Sequence, residues 1–329
     1  MMPKRNWKIL FATTLCAMGA LVLAASDAAA ADNYPAKPIK IVVPYTPGGG
    51  ADILTRTLAA ALTPKLGQQV IVENRPGGNT IIGSEYVANA QPDGYTLLLV
   101  PASFAINPSF YKIPYDTVKG FAPVGLVALV PLMRVANPNV QINSVKDLID
   151  LAKAKPGKLT FASYGSGSPA HLAGELFKSM VGVDMLHIPY KGSAPALADV
   201  VAGHVAIMFS SMSPAVPLVK SGRLKGIAVT TTKRVPAMKD LPTIAEAGVT
   251  GYEVQAWNGI VAPAGTPKEI VAKLNRAIVE IVATKEFSDR ISAQGFEPES
   301  SSPEEFAELI QRDILKWAKV IKDSGAKPD

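Results

Sequence analysis

Apolar positions recur along this chain with two alternating periods. Residues 39–45 form a short apolar run rich in β-branched side chains. After a run of glycines, residues 53–66 place apolar side chains every three or four positions, which predicts a strand, a turn and a helix. A strand at 69–73, a helix at 80–90 and a strand at 95–100 continue the rhythm. Alternation of this kind predicts an α/β fold, helices covering a parallel sheet.

Pro101, Pro108, Pro114, Pro123 and Pro131 punctuate the next stretch, and beyond it the rhythm restarts. Strands are expected at 159–163, 184–189, 205–209 and 225–230, with helices at 144–154, 169–180, 194–202 and 214–221. Ser144 is placed to cap the first of these helices, with Asp147 in its first turn. A last strand at 253–263 precedes helices at 267–283, 285–293 and 303–323. Thr266 and Ser302, each followed by proline, read as caps with proline at the first helical position. The chain has 329 residues, and a single core stops growing near roughly 250 to 300. Two lobes are therefore expected, residues 32–131 with 254–329 and residues 132–253. If the C-terminal part returns to the first lobe, the crossings near 131 and 253 make a two-strand hinge.

The first residues change the picture from fold to destination. Lys4, Arg5 and Lys8 precede an apolar run at 9–23, and small residues follow to Ala31, the three-part order of a secretory signal peptide. A membrane span needs about 20 apolar residues, whereas Thr13, Thr14 and Gly19 interrupt this one. Residues 1–31 are therefore read as a removed leader and the product as periplasmic. Cys16, the one cysteine, lies in that leader, so disulfides and thiolate chemistry are excluded from the mature chain. Thr14 and Leu15 stand where a lipoprotein signal would have small residues. What remains carries 30 basic and 26 acidic residues, a net charge of +4. Scattered lysines such as Lys119, Lys146 and Lys153 read as solvated surface, and the charge is too mild for a nucleic-acid partner.

The strongest chemical signal is residues 44–52, PYTPGGGAD, between the first strand and its helix. Glycines let a ligand approach backbone amides, and a helix N-terminus adds unpaired donors with partial positive charge. No lysine and hydroxyl residue follow as in a phosphate loop, so a carboxylate is favoured over a triphosphate. A second loop of the same design, Tyr164 to Ser168, opens the helix at 169, with His171 in its first turn as donor to an anion or as a local cap. His187 and His204 read as structural. Ser166 and Ser168 beside His171 superficially suggest hydrolysis, but neither serine sits in a G-x-S-x-G elbow. Three histidines without ligand spacing offer no metal site, and no cofactor is expected.

Six blocks in order then resemble one family, the Bug-type periplasmic receptors of tripartite tricarboxylate transporters. They are YPAKPIKIVVPYTPGGGADI at 34–53, VENRPGGNTIIGSEYVANAQPDGYTLL at 72–98, FAINPSFYKIPYD at 104–116, KPGKLTFASYGSGSPAHLAGELFK at 155–178, IPYKGSAPALADVVAGHV at 188–205 and WNGIVAPAGTPKEIV at 257–271. The resemblance implies a two-lobed flytrap fold that acts as a monomer, holds a small carboxylate between its lobes, and delivers it to transporter membrane components. By the same resemblance Tyr45, Gly48, Gly49, Ala51, Asp52 and Ser103 contribute from the first lobe. Tyr164, Gly165, Ser166, Gly167 and His171 contribute from the second. Many relatives carry an aspartate after the strand at 205–209, whereas this chain has Ser210 and Ser211; Ser210 is thus a candidate contact that disfavours an amino-acid ligand. A receptor for another solute, a sensory partner and a periplasmic enzyme are the competing readings.

Overall fold

The computed structural model describes residues 33–328, so the expected leader and Cys16 lie outside the described residues. Strands are β1 (Ile39–Val43), β2 (Val70–Asn74), β3 (Thr96–Pro101), β4 (Phe121–Ala136), β5 (Thr160–Ser163), β6 (Leu186–Pro189), β7 (Ile207–Ser211), β8 (Lys225–Val229), β9 (Gln255–Pro263) and β10 (Glu297–Pro298). Helices are α1 (Gly50–Leu66), α2 (Ile81–Ala88), α3 (Ser103–Phe110), α4 (Val145–Ala154), α5 (Pro169–Val181), α6 (Ser193–Ala202), α7 (Met212–Lys220), α8 (Lys268–Val282), α9 (Lys285–Ser292) and α10 (Pro303–Ser324).

The sheet runs β2-β1-β3-β9-β4-β7-β5-β6, with β8 and β10 also paired to β4. Two parallel triplets, β2-β1-β3 and β7-β5-β6, match the expected alternation. The wholly parallel sheet does not hold: β9 is antiparallel to β3 and β4, and β4 is antiparallel to β7 and β8. These two strands weld the triplets together.

The proline-punctuated stretch is also more ordered than its composition predicts, since it contains α3 and the 16-residue β4. Proline lacks a ladder donor, and β4 accommodates Pro123 at a register shift against β9. Pro131 ends the pairing with β9, and Leu132 begins the pairing with β7. One strand therefore serves both parallel triplets, changing partner where the sequence places a lobe crossing.

Apolar side chains pack on both faces of each triplet. Ile39, Ile41 and Val43 face α1, α8 and α9, whereas Val42 faces α2, α3 and α10. Around β5 and β7, one core gathers Phe161, Phe177 and Phe209 under α4 and α5, and the other packs Met208 against α6 and α7. Ile106 and Phe110 of α3 and Trp317 of α10 enter the core around β5 and β7, although their helices also pack on the core around β3 and β9.

The cap expectations divide. Ser144 accepts from the Asp147 amide, and Ser302 forms a reciprocal capping box with Glu305. Thr266 does not cap α8: its hydroxyl donates to the Pro263 carbonyl, closing the turn after β9, and Pro267 takes the cap position instead. Among the described residues no helix is long and apolar enough to cross a membrane.

Candidate functional site

The first glycine loop leaves the carboxyl end of β1 and turns directly into α1. Gly48 sits at φ +82°, a conformation that side chains rarely adopt, and Gly49 is the α1 cap without any side-chain partner. The first-turn amides of α1, including those of Ala51 and Asp52, are left to an external acceptor. Asp52 works beneath the loop: one carboxylate oxygen accepts from the Gly48 amide at 2.9 Å and from Arg56 Nε at 3.0 Å, the other from Asn74 Nδ2 at 2.8 Å. Burial opposes its charge, but these bonds outweigh it and hold the carboxyl below its ordinary value. Asn74 also donates to the Tyr45 carbonyl, so the end of β2 braces both ends of the loop.

The second loop repeats the design with a histidine in place of the aspartate. Gly165 and Gly167 have φ of +142° and +71°, and Ser168 caps α5 by accepting from the His171 amide. His171 Nδ1 accepts from the Gly167 amide at 3.1 Å, and Nε2 faces Glu175 at 3.9 Å. Its ring stacks on His187 at 3.9 Å and packs against Phe110 and Phe161. Burial first, then His187 and Lys178, lower its pKa to about 3, so the ring is neutral. An acceptor at Nδ1 inside the loop is not a donor over it; His171 shapes the loop from within.

The two loops meet. Tyr45 reaches Ser103 at the start of α3 (Oη to Oγ, 3.5 Å). Burial first, then the charge of Tyr45, raises the Tyr164 hydroxyl pKa above the ordinary range. Burial pushes Tyr45 up to about 12. Tyr111, just beyond α3, donates to the Ser166 carbonyl at 2.9 Å, so the end of α3 supports the second loop directly. A Cβ on Gly167 would lie 2.8 Å from Phe110 Cδ1, so the glycine there serves close approach as well as backbone shape.

Ser210 does not open onto this arrangement, being fully buried with its hydroxyl donated to the Ser211 carbonyl. Ser168 is occupied as a cap. The serine that meets a histidine is Ser163, 2.7 Å from His187 Nε2, but it is fully buried and also donates to the Gly165 carbonyl. No group of three or more metal-ligating side chains clusters among the described residues.

Residues 54–326 match the family model described as the tripartite tricarboxylate transporter family receptor. The chain belongs to this family. It is 38% identical to Protein BugT of Bordetella pertussis over 95% of this chain and 98% of that protein. Among solved structures it resembles the periplasmic binding protein BugD, at 38% identity and TM-score 0.82 over 90% of this chain and all of that one. It also resembles R. palustris Rpa4515 with adipate, at 36% identity and TM-score 0.85 over the same shares. The fold shared with these structures is the two-lobed α/β fold of a periplasmic binding protein that the six sequence blocks imply.

Within this receptor fold the residues that sequence reasoning missed are the braces. Asn74 and Arg56 hold Asp52, and Tyr111 holds Ser166. Asn74 stands in the quoted block VENRPGG, which carries the resemblance without announcing a role; only the β1–β2 register brings it beside Tyr45.

Proposed function

We propose that this chain is an extracytoplasmic solute receptor that captures a small carboxylate between two lobes, residues 32–131 with 254–329 and residues 132–253. The membrane components of a tripartite tricarboxylate transporter take the ligand from it, and it acts as a monomer in the periplasm after loss of residues 1–31. The observation that carries the proposal is the presence of two glycine-rich helix starts, each braced from behind, with α3 joining them through Ser103 to Tyr45 at one end and through Tyr111 to Ser166 at the other.

Backbone amides of Gly49, Ala51 and Asp52 grip one side of the ligand, while the Gly48, Gly165 and Gly167 amides are committed to Asp52, Ser163 and His171 and hold the two loops in the shape that receives it. Tyr45, Ser103 and Tyr164 add hydroxyls. A hydrogen bond to a charged group contributes about 1.5 to 3 kcal/mol, and micromolar affinity requires about 8 kcal/mol, so a handful of aligned donors suffices. Because the donors belong to different lobes, bound ligand favours the closed form. Ser210 is sealed and Asp52 is committed to its own loop, so neither of these candidate residues offers a carboxylate to an ammonium group. The ligand is therefore a dicarboxylate, as adipate is, or an aromatic acid rather than an amino acid.

A thermal-shift screen of the mature protein against dicarboxylates, aromatic acids and amino acids tests this, since a ligand specific for the folded state raises the melting temperature. A rise with one or more simple carboxylic acids is expected. Tight binding of aspartate or glutamate with no response to simple acids would refute the ligand class, and turnover of any acid in the same mixtures would refute a receptor role.

A further inference from the structure

Asn258, in the middle of the quoted block WNGIVAPAGTPKEIV, lies on β9 and is 4% exposed. Its side-chain amide makes no hydrogen bond to any described residue. Other buried polar side chains either find a partner, as Ser103, Asn107 and Asn137 do, or are sealed from solvent, as Ser84, Thr117 and Arg134 are. Asn258 is neither paired nor sealed, so its small accessible area lies at the amide.

Strand alternation fixes the direction of that amide. Trp257 packs edge-on against Phe306 of α10, and a Cβ on Gly259 would lie 2.1 Å from the same ring, so residues 257 and 259 face α10. Asn258 faces the other side of the sheet with Ile260, in the layer that α1 covers and Tyr45 borders. It stands opposite Pro101, the last residue of β3, and the Ala102 amide donates to the Trp257 carbonyl. Ser103, which meets Tyr45, follows directly. Asn258 thus occupies the floor of the site, at the end of the sheet where β1 and β3 stop and the first glycine loop begins.

A carboxamide offers one acceptor and one pair of donors whichever way it is turned. The loops offer N–H donors, which suit carboxylate oxygens; a carboxylate at neutral pH has no proton to give the Asn258 acceptor. A ligand hydroxyl satisfies both sides of the amide at once, donating to Oδ1 and accepting from Nδ2. We propose that Asn258 is a specificity-determining residue that selects hydroxylated carboxylates over their unsubstituted counterparts. This deepens the carboxylate reading and rests on it.

The test is calorimetric titration of the mature protein with matched pairs, malate against succinate and 4-hydroxybenzoate against benzoate, in wild type, Asn258→Leu and Asn258→Ser. One hydrogen bond corresponds to about tenfold in affinity, so the hydroxylated member of at least one pair is expected to bind about that much tighter. In Asn258→Leu the ratio of the two affinities falls to near unity, and in Asn258→Ser, which keeps a smaller donor and acceptor, it falls between that and wild type. Leucine removes an unpaired buried amide, so its melting temperature should equal or exceed that of wild type; serine covers the case in which it does not. If acids bind but the hydroxyl adds nothing, or if the ratio survives both substitutions, this inference is overturned and the receptor reading stands. If no acid binds wild type, both are overturned.

Discussion

At the scale of single residues, three buried ionisable groups have opposite relations to the site. Asp52 is committed to the first loop by three donors, so Asp52→Asn, which keeps the shape, leaves Arg56 with Asn74 but without its carboxylate and turns an acceptor pair into a mixed group. Calorimetric melting should show a loss of about 2 kcal/mol, with carboxylate binding weakened about tenfold because Gly48 is released. His171 shapes the second loop only while neutral. Its pKa is 6.5 unfolded and about 3 folded, with burial as the leading cause. As pH falls below 6.5 the unfolded chain takes up a proton that the folded chain refuses until about pH 3, so His171 lowers stability progressively across that window. Glu175, raised by burial, titrates with the opposite sign. Urea unfolding of wild type and His171→Asn at pH 7 and pH 4.5 separates the two, and wild type should lose more stability than the variant. Arg134 is outside the site altogether. It is fully buried between Phe177 and Phe209, 3.7 and 4.3 Å from their ring centres, with no hydrogen bond to its guanidinium. Burial lowers its pKa to about 9, and no carboxylate offsets the charge. Two aromatic faces contribute about 2 kcal/mol or more when desolvated, less than the several kcal/mol of burying an ion. Arg134→Met is expected to raise the urea-derived unfolding free energy by about 1 to 4 kcal/mol. A fall would show that the rings repay the burial.

At the scale of elements, legibility followed the range of the interaction. The strand and helix rhythm of both triplets was readable because each strand is buried by its own sequence neighbours, and Ser144 and Ser302 were readable because a cap acts within three residues. Glycine loops were readable for the same local reason. β4 was not, because Pro123 and Pro131 look like breaks until β9 and β7 supply the register that absorbs them. Tyr111 and Asn74 were not, since their bonds to Ser166 and Asp52 span 55 and 22 residues and no short pattern encodes them. The Thr266 cap failed because a nearer carbonyl, that of Pro263, captured the hydroxyl. The junction of α3 with the second loop concentrates these long-range demands at Gly167. Alanine there combines a φ of +71° with a Cβ 2.8 Å from Phe110, so the end of α3 or the loop must shift. Gly167→Ala should lower stability by about 1 to 3 kcal/mol and weaken carboxylate binding in the same titrations. Gly182→Ala has a similar φ of +65° but open space around the new atom, and it should lower stability less and leave binding unchanged.

At the scale of the whole molecule, the question is what makes two lobes one cooperative unit. β4 and β9 run through the middle of the sheet, and α10 packs Phe306 and Ile310 into the core beside β9 while Trp317 enters the core beside β5 and β7. Trp257 Nε1 donates to Asp313 at 2.7 Å, fixing α10 between those two attachments. Such a helix transmits unfolding of either core to the other. Wild type is therefore expected to unfold in a single calorimetric transition. Removing Trp317, fully buried, should cost about 3 to 5 kcal/mol, as large aromatic truncations do. The loss falls on one core while Phe306 and Ile310 still anchor α10 to the other, so Trp317→Ala should split the endotherm into two. A carboxylate that bridges both lobes, as proposed, should draw the two transitions back together. A variant that melts in one shifted transition with and without ligand would show that β4 and β9 alone couple the cores and that α10 is a passive cover.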